Sequence, residues 1–300
     1  MRIKALLTSV LLCGVVAGCS TPGATDREAA TSAVKSTTIV DIAVSNPDFS
    51  TLVAAAKAAG LVETLADTSA EFTVFAPTDE AFAAFLSENN LTAEALLGDK
   101  EKLTAVLLYH VVPGKVAAAD VAGLNKAATA GGKNVFVHVT DGGKVFINNA
   151  QVIQADVMAD NGIVHVIDRV LTPAGGDIVA IAAGNEDFST LVSLVSSAGL
   201  VETLQGEGPF TVFAPTNAAF SAIANVPSGD ALTSVLTYHA LGGARFSRTL
   251  ADGESLATVN GAGAKISFAD GATIAGAKIV VTDIVADNGV IHVIDAVITP

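Results

Sequence analysis

Apolar side chains along this chain keep two rhythms, a period of about 3.6 and a period of two, and each rhythmic stretch occurs twice. Phe49, Leu52, Val53 and Ala56 recur at i, i+3, i+4 and i+7, the spacing of one helix face. Asn46 predicts the N-cap of that helix, Pro47 suits its first position, Asp48 suits its positive end and Gly60 predicts its C-cap. Asn185, Phe188, Leu191, Val192, Val195 and Gly199 repeat the plan. Phe72 to Ala76 reads as a short buried strand. Pro77-Thr78 ends it and caps a second helix, with Asp79 and Glu80 in the first turn and Phe82, Phe85 and Leu86 facing inward. A further helix leads through Leu103, Val106 and Leu107 to Tyr109-His110. The rhythm then changes to two: Val135, Val137 and Val139 alternate with Asn134, Phe136 and His138. Asp141-Gly142-Gly143 offers the positive φ of a hairpin turn, Val145 to Ile147 returns, and Asp270-Gly271 supplies the matching turn later. Ile163 to Leu171 is apolar on both faces, as a central strand should be.

The repetition extends to the letters. Asp48-Phe49-Ser50-Thr51-Leu52-Val53 returns from Asp187, Ala59 to Leu65 returns from Ala198, and Phe72 to Thr78 returns from Phe210. Tyr109-His110 returns as Tyr238-His239, and Ala159-Asp160-Asn161-Gly162 with His165-Val166-Ile167-Asp168 returns from Ala286 and His292. The period is far above the roughly 20–50 residues of solenoid repeats, so it marks two copies of a whole domain. The second copy is shorter, mainly between Phe220 and Tyr238. The extra Asn89 to Asp99 region of the first copy is a surface insertion or a helix that the second copy lacks. Only Ala174-Gly175-Gly176 separates the copies, a link short enough to keep them in touch.

These ordered motifs resemble the fasciclin domain, over Thr38 to Pro173 and Asp177 to Pro300. The family's first motif looks like Phe72 to Phe82 and Phe210 to Phe220, its tyrosine–histidine pair like Tyr109-His110 and Tyr238-His239, its second motif like Asn161 to Pro173 and Asn288 to Pro300. The resemblance implies an α+β fold: two tandem domains at 38–173 and 177–300, each a compact β-wedge or sandwich with packed α-helices. It also implies cell–cell or cell–matrix contact, and, as the alternative, the binding or carriage of a small apolar ligand. Receptor contact in animal members is associated with an acidic–aliphatic triplet and with the tyrosine–histidine region. Here Asp156, Val157 and Met158, and Asp283, Ile284 and Val285, hold the triplet position; Gln154-Ala155 and Val281-Thr282 stand where a Glu-Pro can precede it. Those six residues and Tyr109, His110, Tyr238 and His239 are the expected adhesion contacts. The competing reading makes the triplet a strand running into a turn and the Tyr-His pairs internal braces.

Composition narrows the choice further. A formal charge of −14 repels phosphate backbones, which disfavours nucleic acid as a partner. Tryptophan is absent, so Ala, Val, Ile and Leu fill the cores. Arg2 and Lys4, the apolar run from Ala5 to Val16 and Val16-Ala17-Gly18-Cys19 resemble a bacterial lipoprotein signal over 1–18. That apolar run is too short to span a bilayer. By that resemblance Cys19 is lipidated, Cys13 leaves with the leader, and residues 19–37 form a lipid-anchored tether. A flexible tether of this length reaches roughly 20–25 Å on average. The expected place is the cell envelope, outer membrane or cell surface, facing periplasm or exterior. The expected partner is an extracellular protein, a matrix or an envelope component, with the membrane met only through the anchor.

The histidines are the candidate carriers of chemistry. Four of five occupy repeated positions: His110 and His165, His239 and His292. One reading is a two-histidine metal site in each copy, with Asp168 or Asp295 added; the other is buried histidines bonded within the fold. His138 has no counterpart, since Ser267 takes its place, and reads as incidental. No serine-nucleophile elbow, phosphate loop or dinucleotide fingerprint occurs. The expectation is a protein that is not an enzyme and holds no cofactor and no metal.

Overall fold

The computed structural model describes residues 37–223, 227–269 and 271–300. Cys19, the leader, the tether up to residue 36 and Asp270 lie outside the described residues. The described residues form one compact unit.

The first copy runs α1 (Ile39–Ser45), α2 (Ser50–Ala59), α3 (Val62–Ala66), β1 (Phe72–Pro77), α4 (Asp79–Glu88), α5 (Ala93–Gly98), α6 (Lys100–Tyr109), β2 (Val111–Pro113), α7 (Ala118–Ala122), β3 (Lys126–Ala128), β4 (Asn134–Val139), β5 (Val145–Ile147), β6 (Ala150–Ala159) and β7 (Gly162–Ile167). The second runs α8 (Ile178–Ala183), α9 (Ser189–Ser197), α10 (Val201–Leu204), β8 (Phe210–Pro215), α11 (Asn217–Ser221), α12 (Asp230–Tyr238), β9 (Ala240–Gly242), β10 (Ser255–Ala257), β11 (Gly263–Ser267), β12 (Thr273–Ile274), β13 (Ala277–Ala286) and β14 (Gly289–Ile294). The sheets have the same order, β2-β1-β7-β6-β5-β4-β3 and β9-β8-β14-β13-β12-β11-β10. Among the described strands only β1 with β7 and β8 with β14 pair in parallel. That buries β7 and β14 at every position, which is why they read as apolar on both faces.

The capping signals act where the sequence placed them. The Asn46 side chain accepts from Asp48 N–H and opens a 3₁₀ turn, Pro47–Phe49, that leads into α2. Gly60 ends α2 at φ 75°, a left-handed conformation suited to glycine. Thr78 accepts from Ala81 N–H at the start of α4, and Thr216 from Ala219 N–H at the start of α11. The extra region of the first copy contains α5, with Thr92 as its cap; among the described residues of the second copy, α12 follows α11 with no helix between.

Two expectations are corrected. Each copy opens one helix earlier than the Asn46 and Asn185 signals suggest: Thr38 and Asp41 form a capping box before α1, and Asp177 caps α8. The last strand of the first copy ends at Ile167, not Leu171. Phe136, on the β4 face opposite Val135 and Val137, is 1 % exposed. Its face is covered by the second copy: Phe136, Phe246 and Val290 form one apolar cluster, with Ala244 and Val285 against it.

Polar ties flank that cluster. Arg248 donates to both carboxylate oxygens of Asp168 (3.0 and 2.7 Å) and to Asn149 O, and lies over the Phe146 ring. Lys133 donates to Asp287 at 2.8 Å and to Ala174 O at 2.7 Å. Arg245 Nη1 lies 3.4 Å from His138 Nε2, so His138 belongs to the seam and is not incidental.

Candidate functional site

Both β6 and β13 are interrupted by register shifts, between Val152, Gln154 and Val157 in one and Ile279, Val281 and Ile284 in the other. The extra residues take positive φ at Asp156 (55°) and Asp283 (63°). A bulge of this kind leaves backbone groups without ladder partners, and here a histidine supplies them. His165 Nδ1 accepts from Asp156 N–H at 3.2 Å while its Nε2–H donates to Val116 O at 3.0 Å. His292 does the same between Asp283 N–H and Arg245 O. Burial pushes the His292 pKa down, against its bond to Arg245 O and the nearby Asp283 charge. Phe75 and Phe213 stack on these two rings.

The bulge carboxylates also serve the fold. Asp156 accepts from Ala118 N–H at the start of α7 (2.9 Å), and Asp283 accepts from the N–H and hydroxyl of Ser247. Val157 and Ile284 turn inward, against the helical core of each copy. The third positions differ. Met158 is 67 % exposed, whereas Val285 packs into the seam. The two triplets are therefore not equivalent surfaces: the first offers an apolar tip to solvent and the second is withdrawn.

The tyrosine–histidine pairs are buried. Tyr109 and His110 are 1 % and 2 % exposed, Tyr238 and His239 are 5 % and 2 %. His110 Nδ1–H donates to Val106 O at 2.7 Å, and Nε2 accepts from Leu171 N–H at 2.9 Å. His239 bridges Val235 O and Ile298 N–H in the same way. An amide N–H only donates and a carbonyl only accepts, so each ring is neutral with its proton on Nδ1. Burial holds both pKa values down at about 4. Tyr109 Oη donates to Asn134 O and accepts from Asn148 Nδ2, and burial pushes its pKa up to about 12. All four lie inside the fold, where they tie the helix end to the sheet and to the closing segment.

The histidines of one copy do not converge on a metal. Each ring nitrogen is spent on a different backbone group. Asp168 and Asp295 accept from Gln151 N–H and Lys278 N–H and close the hairpins of β6 with β7 and β13 with β14. Among the described residues no group of three or more His, Cys, Asp and Glu is placed to hold a metal, and no helix is long and apolar enough to cross a membrane.

Sequence reasoning missed the seam residues. Comparing the copies position by position carries the signal. Phe136 stands where the second copy has Lys265, Phe246 where the first has Ala117, Arg248 where it has Ala119, and Lys133 opposite Ala262. Two polar ties of the seam each set a residue at which the repeats diverge, Arg248 or Lys133, against an aspartate that both copies carry, Asp168 or Asp287.

Comparison with known proteins agrees with the repeat. The family model described as the fasciclin domain matches residues 47–173 and again 186–300. "Protein sll1483" of Synechocystis sp. is 54% identical over 140 residues, covering 45% of this chain and 73% of its own. Transforming growth factor-beta-induced protein ig-h3 of Sus scrofa is 34% identical over 239 residues, 76% of this chain but 35% of that protein, so the chain spans about a third of that longer relative. Among solved structures, a FAS1 domain pair from the insect cell adhesion molecule fasciclin I aligns at 20% identity and a TM-score of 0.36, covering 77% of this chain and 89% of that one.

Proposed function

The chain belongs to the fasciclin-domain family, and from that premise we propose that it is a non-enzymatic binding protein of the cell surface, acting in adhesion or in attachment to matrix or envelope. One observation carries the reading: the bulged strand presents an aliphatic side chain to solvent at the same place in both copies, Ile153 (52 % exposed) and Val280 (50 %). The polar groups of the motifs are occupied inside the fold, so these apolar tips, with Met158 beside the first, are what the repeated strand offers a partner. The contact face of the first copy is Ile153, Asp156 and Met158. In the second copy Val280 and Asp283 contribute, while Val285 is engaged in the seam. Two linked weak sites gain avidity when both engage, because the second contact is intramolecular.

Attachment is through lipidated Cys19, on the strength of the leader-like run before it. Cys19→Ser is expected to move the protein from the membrane to the soluble fraction without altering its fold; unchanged fractionation overturns the anchor. For adhesion, beads coated with the chain are tested for retention on matrix and cell layers. Ile153→Ser with Met158→Ser is expected to cut retention sharply, and Val280→Ser to cut it less. Equal retention of every variant, or background retention of the unaltered chain, overturns the reading.

A second reading, the binding of a small apolar ligand, is favoured by a separate observation. Each copy has an apolar cavity at the same place between its first helices and its sheet.

A further inference from the structure

In the second copy this cavity has a volume of about 80 Å³. Helices α8, α9 and α10 roof it with Ile178, Leu191, Val195 and Leu204; Val212 and Ile291 of the sheet form its floor. The first copy has its equivalent, about 50 Å³, among Ile39, Leu52, Leu65 and Val74. His239 and His110 line the two cavities, but both ring nitrogens of each are bonded to backbone, so neither offers a free polar atom. Water needs two to four polar partners in an enclosed site, and the walls carry few: Thr203 and Thr237 in the larger cavity, the Thr237 hydroxyl already donating to Thr233 O, and Lys57 in the smaller. The larger cavity reaches the surface beside Val259, which is 51 % exposed. Occupants with a polar end can therefore leave it in solvent.

We infer that the second-copy cavity binds the tip of an alkyl chain, and that the first copy holds a narrower version of the same site. Size selects the chain over a ring: a dry cavity that admits benzene measures about 150 Å³, roughly twice what is present, while a file of methylenes needs less width. Two lining pairs differ between the copies: Val195 stands where the first has Ala56, which fills the larger cavity, and a pair on the edge strand acts the other way. Ala240, on β9, lines the larger cavity, and Val111, its counterpart on β2, lines the smaller. Each methylene buried is worth about fourfold in affinity.

This inference rests on the apolar-ligand reading, and the test separates the two. The full chain, with ¹³C-labelled Ile, Leu and Val methyls, is titrated with xenon, n-decanol, benzene and phosphatidylcholine vesicles. Xenon reports any dry apolar space. Expected are shifts at Leu191, Val195 and Ile291 with xenon and with decanol, and weaker binding of benzene. Ala240→Val is expected to weaken decanol about fourfold or more, and Val111→Ala to strengthen it in the first copy. Each substitution installs the residue the other copy already folds with, and unchanged melting of both variants confirms the fold. Shifts with vesicles as well identify a lipid acyl chain as the source; shifts with decanol alone identify a free amphiphile. Xenon entry without decanol, benzene binding as tightly as decanol, or decanol affinity indifferent to Ala240→Val overturns the alkyl inference and leaves the apolar-ligand reading standing. If xenon does not enter, both fall, and adhesion is untouched.

Discussion

His110 and His239 sit at the C-terminal ends of α6 and α12 with a carbonyl on one side and an N–H on the other. A second proton would set an N–H against an N–H in an apolar surround. With pKa about 4 against 6.5 in the unfolded chain, the folded protein binds fewer protons between those values. Stability is thus fully present above pH 6.5 and is lost as pH falls toward 4, by on the order of 3 kcal/mol for each histidine. Urea titrations from pH 7 to pH 4 should show this slope, and His110→Gln should reduce it while lowering stability throughout; an unaltered slope in that variant contradicts the assignment. Asn161 is a second residue-scale brace. It accepts from Ile39 N–H and donates to Leu65 O and Asp67 O, tying α1, α3 and the turn before β7 together, and Asn288 repeats it. Asn161→Ala leaves buried backbone groups unpaired and should cost about 1–3 kcal/mol, read by denaturant midpoint; a change below a few tenths would mean that water satisfies them. Gly162 follows because a Cβ there would lie 2.0 Å from Phe72 O across the parallel pair.

At the scale of elements, legibility tracked how local the signal was. Thr78 and Thr216 were readable as caps because the capping bond spans three residues. Thr78→Ala and Thr216→Ala should each cost about 1 kcal/mol in thermal or denaturant unfolding, with Thr78→Ser nearly neutral; equal losses for Ala and Ser would argue for methyl packing instead. Helix α8 went unread because Ile178-Val179-Ala180-Ile181-Ala182-Ala183 has no polar face, so no 3.6 period can show. The bulges in β6 and β13 were not legible either. Positive φ at a non-glycine such as Asp156 leaves no mark in the sequence; it is imposed by His165 and Val116 from distant segments.

At the scale of the whole molecule, the copies are joined by a face of β4 and β5 against residues 244–248. Phe136→Ser should open this seam while leaving each helical core folded. Amide exchange should rise at Phe246 and Val285 and stay slow along β7 and β14. Loss of protection everywhere would mean that the copies do not fold apart from one another. His138 makes the seam acid-sensitive. Burial and Arg245 hold its pKa below 6.5, with Glu254 and Asp141 opposing. The neutral ring that accepts from Arg245 is favoured, so the seam should be tightest above that range and loosen as pH falls through it. The same exchange experiment at pH 7 and pH 5, with His138→Gln as the insensitive control, checks the sign.

The sequence by itself determined the duplication, the capped helices after Asn46 and Thr78, the hairpin at Asp141-Gly142-Gly143 and a buried central strand. Each of these rests on interactions within a few residues or on burial of a whole segment. Which polar residues are available to a partner was decided only by the tertiary structure. Tyr109, His110 and their counterparts have the composition of a binding site, yet the fold buries them and spends their polar atoms on groups inside it. Phe136 and Met158 look alike as apolar residues on strands, and only the approach of the second copy buries one and leaves the other in solvent. Contacts between segments a hundred residues apart carry no periodicity, so nothing local announces them.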